Sequence, residues 1–196
     1  MPTSTYLVYT LWLLGYPVQG LKRTQEALVL AHELDNPFCL AYTFCVSGVH
    51  HYFRREEQIV REQAEAAIAL ATEYGFAQWI SQGGLLRAWA LVQQGEGCEE
   101  HCAQMHQAMD AWRATGADMG RPYYLLLLAE THMKLEQVEK GLELLTEALT
   151  LTENNREYWM MAELYRLKGE LLLTQGKDIT VVEAEYCFHK AIEFAR

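Results

Sequence analysis

The chain repeats itself about every 40 residues, and this period constrains its fold more than any other feature. An alanine followed by an aliphatic residue or methionine recurs in steps of 40, 41, 40 and 43, at Ala27, Ala67, Ala108, Ala148 and Ala191. A small or short residue recurs in a second register, at Val8, Gly48, Ala88, Ala129 and Gly169. Two such registers in each period predict two helices per repeat, and the length of 196 residues fits about five repeats.

Turn-forming residues divide the chain in agreement with this period. Glycine, proline, asparagine and aspartate fall where one helix has to stop and the next to begin, at 15–17, 35–37, 74–76, 94–97, 115–118, 153–155 and 175–178. The pattern predicts helices over 4–14, 17–34, 38–53, 56–74, 77–93, 97–115, 121–134, 137–153, 157–174 and 180–195. The corresponding repeats are 1–36, 37–75, 76–116, 117–155 and 156–196.

Each predicted repeat is a helical hairpin with more apolar surface than it can bury alone. Val138, Leu142, Leu145 and Leu149, for example, form one apolar face at helical spacing. Neighbouring hairpins must therefore stack, and the small residues allow their helices to approach closely. We expect an all-α fold, a right-handed α-α superhelix of about five hairpins that forms a single domain over 1–196.

Composition excludes several classes of function. The formal net charge of −10 opposes non-specific binding to nucleic acid or to an anionic membrane. No apolar run approaches the ~20 residues of a membrane-spanning helix, and the first residues lack the basic flank of a signal peptide. The five cysteines are an odd number scattered through helical pattern, which suits reduced thiols. A soluble, cytoplasmic protein is expected.

The pattern of small residues resembles the tetratricopeptide repeat. Tyr165, Lys168, Gly169 and Leu172 follow the spacing of its first-helix signature, and Gly141 and Ala148 match the small positions of its second helix. The period departs from that family, whose repeat has ~34 residues, so each helix here is expected to be about one turn longer. The segments 11–17, 116–123 and 162–173 further resemble the repeat region of large bacterial signalling regulators.

In those regulators a nucleotide-cyclase-like or DNA-binding domain is followed by an AAA/STAND-type ATPase and then by tetratricopeptide-like repeats. The resemblance implies a repeat scaffold without catalytic activity, since this chain has no phosphate-binding glycine loop and no cyclase-type aspartate pair. It also implies that the chain is a fragment of a longer protein or a short relative of the repeat region. Its partner would then be another protein or peptide, including the ATPase domain of the parent protein.

Histidine and cysteine clusters offer two alternatives with specific chemistry. Cys98, Cys102 and His106 are spaced four residues apart and could begin a zinc site, although their register favours buried cysteines and a solvated histidine. His50 and His51 are adjacent, and adjacent helical side chains point about 100° apart. They therefore cannot easily act together, and His51, which shares its register with Leu11 and Leu172, is expected to be packed or half-packed. No cofactor, metal or catalytic residue is predicted.

Aromatic residues are abundant, at 11% of the chain, and they suggest a binding surface. In tetratricopeptide repeats the first helices line the concave groove. By that resemblance the groove residues are Tyr9, Trp12, Tyr42, Tyr52, Trp89, Tyr123, Glu130, Arg166 and Glu170, and the same register also selects Val49, Phe53, Lys134 and Glu163. At any single position the alternative is packing between repeats.

The leading hypothesis is a non-catalytic scaffold that mediates protein–protein interaction or self-association in a bacterial regulator. The alternative is a domain that senses a small ligand in an enclosed pocket and is coupled to an ATPase or cyclase module. The last predicted helix carries apolar residues that no later repeat covers. We therefore expect this face to be covered, either in a homodimer formed through Val181, Val182, Phe188 and Ile192 or by further residues of a longer chain.

Overall fold

The computed structural model describes residues 2–96, 99–176 and 178–196, and over those residues it contains α-helices and no strand. The α-helices, numbered in chain order, are α1 (Pro2–Leu13), α2 (Pro17–Glu33), α3 (Pro37–Phe53), α4 (Glu57–Tyr74), α5 (Ala77–Leu91), α6 (Glu99–Ala114), α7 (Arg121–Lys134), α8 (Val138–Asn155), α9 (Met161–Thr174) and α10 (Asp178–Phe194). The prediction of an all-α fold built from neighbouring helix pairs is confirmed.

The helix boundaries lie within a few residues of those predicted from the sequence. Two of them differ in a physically instructive way. Helix α5 does not stop at a simple turn but continues into a π-helical turn, Val92–Glu96, where Gly95 takes a positive φ of 84°. Helix α9 is preceded by a 3₁₀ turn, Tyr158–Met160, so the predicted helix over 157–174 begins with a tighter turn.

The helices fall into two compact units, 1–117 and 118–196. The division lies within a residue of the predicted boundary between the third and fourth repeats. The first unit contains α1 to α6 and the second contains α7 to α10.

In the first unit each helix packs against its neighbours in the chain, and α3 also contacts α1 and α5. Close approach depends on glycine at two places. A Cβ atom added to Gly83 in α5 would lie 2.8 Å from Cγ1 of Ile68 in α4, and one added to Gly48 in α3 would lie 3.0 Å from Cδ1 of Leu86 in α5. Gly48, a small first-helix position of the repeat, thus serves the role that its register predicted, whereas Gly83 lies outside that register.

In the second unit α7 packs against α8, α8 against α9, and α9 against α10. Leu172, Ala184 and Cys187 form a buried cluster between the last two helices, with Phe188 packed against it. A Cβ added to Gly169 would come within 2.8 Å of the Phe188 ring. Phe188 is therefore half-buried inside its own hairpin.

Both repeat registers point toward the core. The first-helix positions Val8, Gly48, Ala88, Ala129 and Gly169 are all buried. In the second-helix register Ala27, Ala67 and Ala148 are buried, whereas Ala108 and Ala191 are half-buried. Within the described residues no helix is long and apolar enough to cross a membrane.

Candidate functional site

Half-buried aromatic side chains from α1 and α3 form one continuous cluster, which we call the Trp12 cluster (Tyr9, Trp12 and Phe53). The rings of Trp12 and Phe53 are stacked, with centroids 5.7 Å apart and planes at 18°. Tyr9 meets Phe53 edge-on at 6.4 Å. All three side chains keep part of their surface accessible, so the cluster presents a partly exposed aromatic surface.

Four other residues of the predicted groove lie in the core instead. Tyr52 and Trp89 pack edge-to-face at 4.9 Å and are 1% and 0% exposed. In the second unit Tyr123 and Glu130 are 2% and 3% exposed. Their side chains present no surface to a partner in this structure, because a first helix that packs on both sides buries most of its circumference.

An ion-paired group made of His51, Arg54 and Glu56 lies at the C-terminal end of α3, next to Phe53 of the Trp12 cluster. Glu56 accepts hydrogen bonds from Nε and Nη2 of Arg54 at 2.9 and 2.8 Å, and it lies 2.5 Å from Nδ1 of His51. The donors on Arg54, and then His51, lower the pKa of Glu56 to about 2. A carboxylate held ionised in this way anchors the chain after α3 and is poorly suited to exchange protons at neutral pH.

His50, beside this group, is completely buried. Neither ring nitrogen has a hydrogen-bond partner among the described residues. Burial, with further contributions from His51 and Arg54, lowers the pKa of His50 to about 4. The rings of His50 and His51 are 5.8 Å apart at 74°, and His51 is 7% exposed, which confirms that His51 is packed.

A second aromatic group lies at the opposite end of α3, where α4 ends and α5 begins. We call it the Phe38 patch (Phe38, Tyr42, Tyr74, Phe76 and Trp79). Phe38 contacts Phe76 and Trp79 at 5.3 and 5.5 Å, Tyr42 contacts Trp79 at 5.2 Å, and Tyr74 stacks on Phe76 at 5.8 Å. Phe38 and Tyr74 are each 50% exposed.

Only Tyr42 of this patch was among the predicted groove residues. Sequence reasoning misses the others because they stand at or near helix ends, where the pattern Tyr74-Gly75-Phe76 predicts only a turn. The available signal was the aromatic residue on each side of the turn glycine. Solvated turns rarely require such large apolar side chains.

The predicted charged residues of α9 form a local ion network. Arg166 donates to Glu163 from Nε and Nη2 at 2.7 and 2.6 Å, and from Nη1 to Glu170. The hydrogen bond to Glu163 is the main cause of the raised pKa of Arg166. All three are half-buried side chains on one helix, so their charges are paired with one another at the surface of the second unit.

The residues predicted to mediate self-association separate into two kinds. Val181, Val182 and Ile192 are 48%, 68% and 51% exposed on α10. Phe188 instead packs on Gly169. An apolar face therefore remains accessible on this helix, but it does not include the full ring of Phe188.

Of the alternative zinc ligands, Cys102 is buried and His106 is exposed, as their register predicted. Cys98 lies outside the described residues.

A recess of about 400 Å³ follows the outer side of α2 and is lined by Lys22, Gln25, Glu26, Val29, Leu30 and Glu33. These residues come from a single helix, so the recess is a shallow trough that cannot enclose a small ligand.

The chain matches no protein-family model and no curated protein.

Proposed function

We propose that this protein is a non-catalytic helical-repeat scaffold of the tetratricopeptide-like type, which binds a protein or peptide partner through aromatic side chains on its first helices. The observation that carries the proposal is the Trp12 cluster. Its rings are locked against one another, so a partner gains aromatic contact area without paying to order flexible side chains.

The repeat period and the paired packing of the helices support the same proposal. Repeats that contact only their neighbours form extended surfaces that suit the binding of chains rather than the enclosure of substrates. The resemblance to the repeat region of bacterial regulators would place such a surface in a signalling protein, where the partner is another domain of the same protein or a separate protein.

The fixed charges around the cluster are compatible with recognition and do not favour catalysis. The carboxylate of Glu56 is bound by Arg54 and His51, and His50 has no access to solvent. These groups hold the end of α3 in place, and so they set the position of Phe53 beside Trp12.

Display selection followed by affinity measurement tests the proposal. Peptides selected from a random library on the whole protein are expected to lose about tenfold in affinity when Trp12→Ala is introduced, as at other aromatic anchors. Val29→Ala, on the exposed side of α2, is the matched control and should leave affinity unchanged. If the selected peptides bind the Trp12→Ala variant as tightly as the parent protein, the Trp12 cluster is not the binding surface.

A further inference from the structure

The Phe38 patch has exposed aromatic surface that the packing of the first unit does not use. Phe38 opens α3 and Tyr74 closes α4, and half of each side chain is accessible. Trp79, whose ring contacts Phe38, is 7% exposed. Aromatic faces of this kind attract cations, because the ring quadrupole places negative charge above and below the plane.

The helix ends and the turn that precede Phe38 and Tyr74 in the chain carry only negative formal charge. Glu33 ends α2, Asp35 lies in the turn before α3, and Glu73 precedes Tyr74. All three are exposed, and none forms an ion pair with a described residue. No lysine or arginine occurs in residues 24–53 or 62–86, so the segments that build the patch supply no cation of their own.

Some acidic residues elsewhere in the first unit are neutralised by a basic neighbour. Glu26 pairs with Arg23 at 2.7 Å, and Glu65 pairs with Arg61 at 3.1 Å. Asp35 and Glu73 differ from these paired carboxylates, and they lie three residues from Phe38 and one residue from Tyr74 in the chain. Such a surface complements a segment that carries positive charge on planar or apolar groups.

We propose that the Phe38 patch is a docking site for an arginine-bearing peptide segment of a partner protein. The guanidinium group stacks on aromatic planes and pairs with carboxylates, whereas the strongly hydrated ammonium group of lysine does so less well. A contact of this kind occurs in the first unit, where Cζ of Arg55 lies 5.1 Å from the centroid of the Tyr52 ring. This surface is separate from the Trp12 cluster and does not depend on it.

Fluorescence anisotropy with two labelled octapeptides tests the proposal. One alternates arginine and alanine, and the other alternates lysine and alanine, so both carry the same charge. We expect the arginine peptide to bind at least about fivefold more tightly at low salt, and Trp12→Ala to leave its affinity unchanged. This last result separates the site from the surface of the proposed function.

Two double variants divide the aromatic from the ionic contribution. Phe38→Gln with Tyr74→Asn introduces the residues that the repeat carries at Gln78 and Asn155, and we expect about a tenfold loss of affinity. Asp35→Asn with Glu73→Gln should weaken binding and flatten its dependence on salt. The matched control is Glu139→Gln with Glu143→Gln on α8, which removes two exposed carboxylates from the second unit and should have no effect.

Equal binding of the two peptides, or an equal loss in the α8 control, would mean simple attraction to an acidic protein and would overturn the proposal. Circular dichroism of each variant establishes that the helices are intact. If the aromatic double variant does not fold, Tyr74→Asn alone decides the question, because Tyr74 is half-exposed at the end of α4. Unchanged affinity in that variant would also overturn the proposal.

Discussion

The imidazole of His50 lies edge-on to the indole of Trp12, with ring centroids 6.0 Å apart and planes at 89°. Cε1 of His50 also lies 3.0 Å from the position of a Cβ atom added to Gly20. The repeat places Ala90, Thr131 and Leu171 at equivalent positions. Leu171 approaches Gly141 in the same way, at 2.9 Å. His50 therefore occupies a core position that another repeat fills with leucine.

His50→Leu should stabilise the protein and reduce its sensitivity to acid. The pKa of His50 is lowered from 6.5 to about 4 by burial, so the unfolded state binds more protons as the pH falls from about 6.5 toward 4. Stability is lost over that interval, by about 2 kcal/mol between pH 7 and pH 5, because the slope approaches 1.36 kcal/mol per pH unit between the two pKa values. Urea unfolding at pH 7 and pH 5 measures the difference.

The control for this measurement is His189→Gln, which removes a histidine whose side chain is 74% exposed. That variant should keep the acid sensitivity of the parent protein. The pKa of Glu56 is about 2, and its contribution to stability is lost only below about pH 4.5, where the unfolded carboxyl group begins to protonate. A variant of His50 with unchanged acid loss would contradict the assignment.

The adjacent glycines of α5 should respond to alanine in opposite directions. A Cβ on Gly84 would find Ala108 at 3.5 Å, an ordinary contact, so Gly84→Ala should gain roughly 0.5–1 kcal/mol of helix stability. A Cβ on Gly83 would lie 2.8 Å from Ile68 and 3.2 Å from the carbonyl oxygen of Ala64, so Gly83→Ala should lose about 1–2 kcal/mol. Thermal unfolding of both variants measures the contrast, and equal shifts would show that the helices can separate freely.

The start of α3 depends on one side-chain cap. Oδ1 of Asn36 accepts a hydrogen bond from the backbone N–H of Cys39 at 3.0 Å. Asn36→Ala should therefore lower the free energy of unfolding by about 1 kcal/mol, while Asn36→Asp should retain most of it. Chemical denaturation gives both values, and identical stabilities for alanine and aspartate would show that this hydrogen bond contributes nothing.

Self-association through α10 can be tested on its exposed apolar face. Val182→Glu combined with Ile192→Glu places two charges where the side chains are 68% and 51% exposed, and we expect these charges to dissociate a dimer formed there. Light scattering over a range of protein concentrations gives the mass. Val18→Glu, on a 77% exposed side chain of α2, is the control for added charge. A parent protein that is monomeric at every concentration would contradict the expectation.

Sequence reasoning was most accurate where the relevant forces are local. It predicted α7 at its observed bounds, Arg121–Lys134, and the other helices to within a few residues. Proline at the start of α2 and α3 and glycine after α4 act within one turn of the chain. The exceptions, such as the π-helical turn at Val92–Glu96, arise where a helix continues past its expected turn.

The candidate surfaces were only partly predictable. The register of the repeat selects Tyr9 and Trp12, which form one cluster, but it also selects Tyr52 and Trp89, which are in the core. A period identifies equivalent positions, yet equivalent positions differ in exposure because the side chains packed against them differ. Phe38 and Tyr74 stand at helix ends, and no periodic argument could assign them to a common patch.

By itself the sequence determined the helices, their pairing and the small residues at which they touch, because each depends on spacing along a few turns of chain. Only the tertiary structure decided which aromatic rings remain accessible, that His50 is buried against Trp12, and that Phe38 and Tyr74 share a surface with unpaired carboxylates nearby. These relationships join residues of different helices. Their physical basis is burial from solvent, which depends on the neighbours that folding brings together.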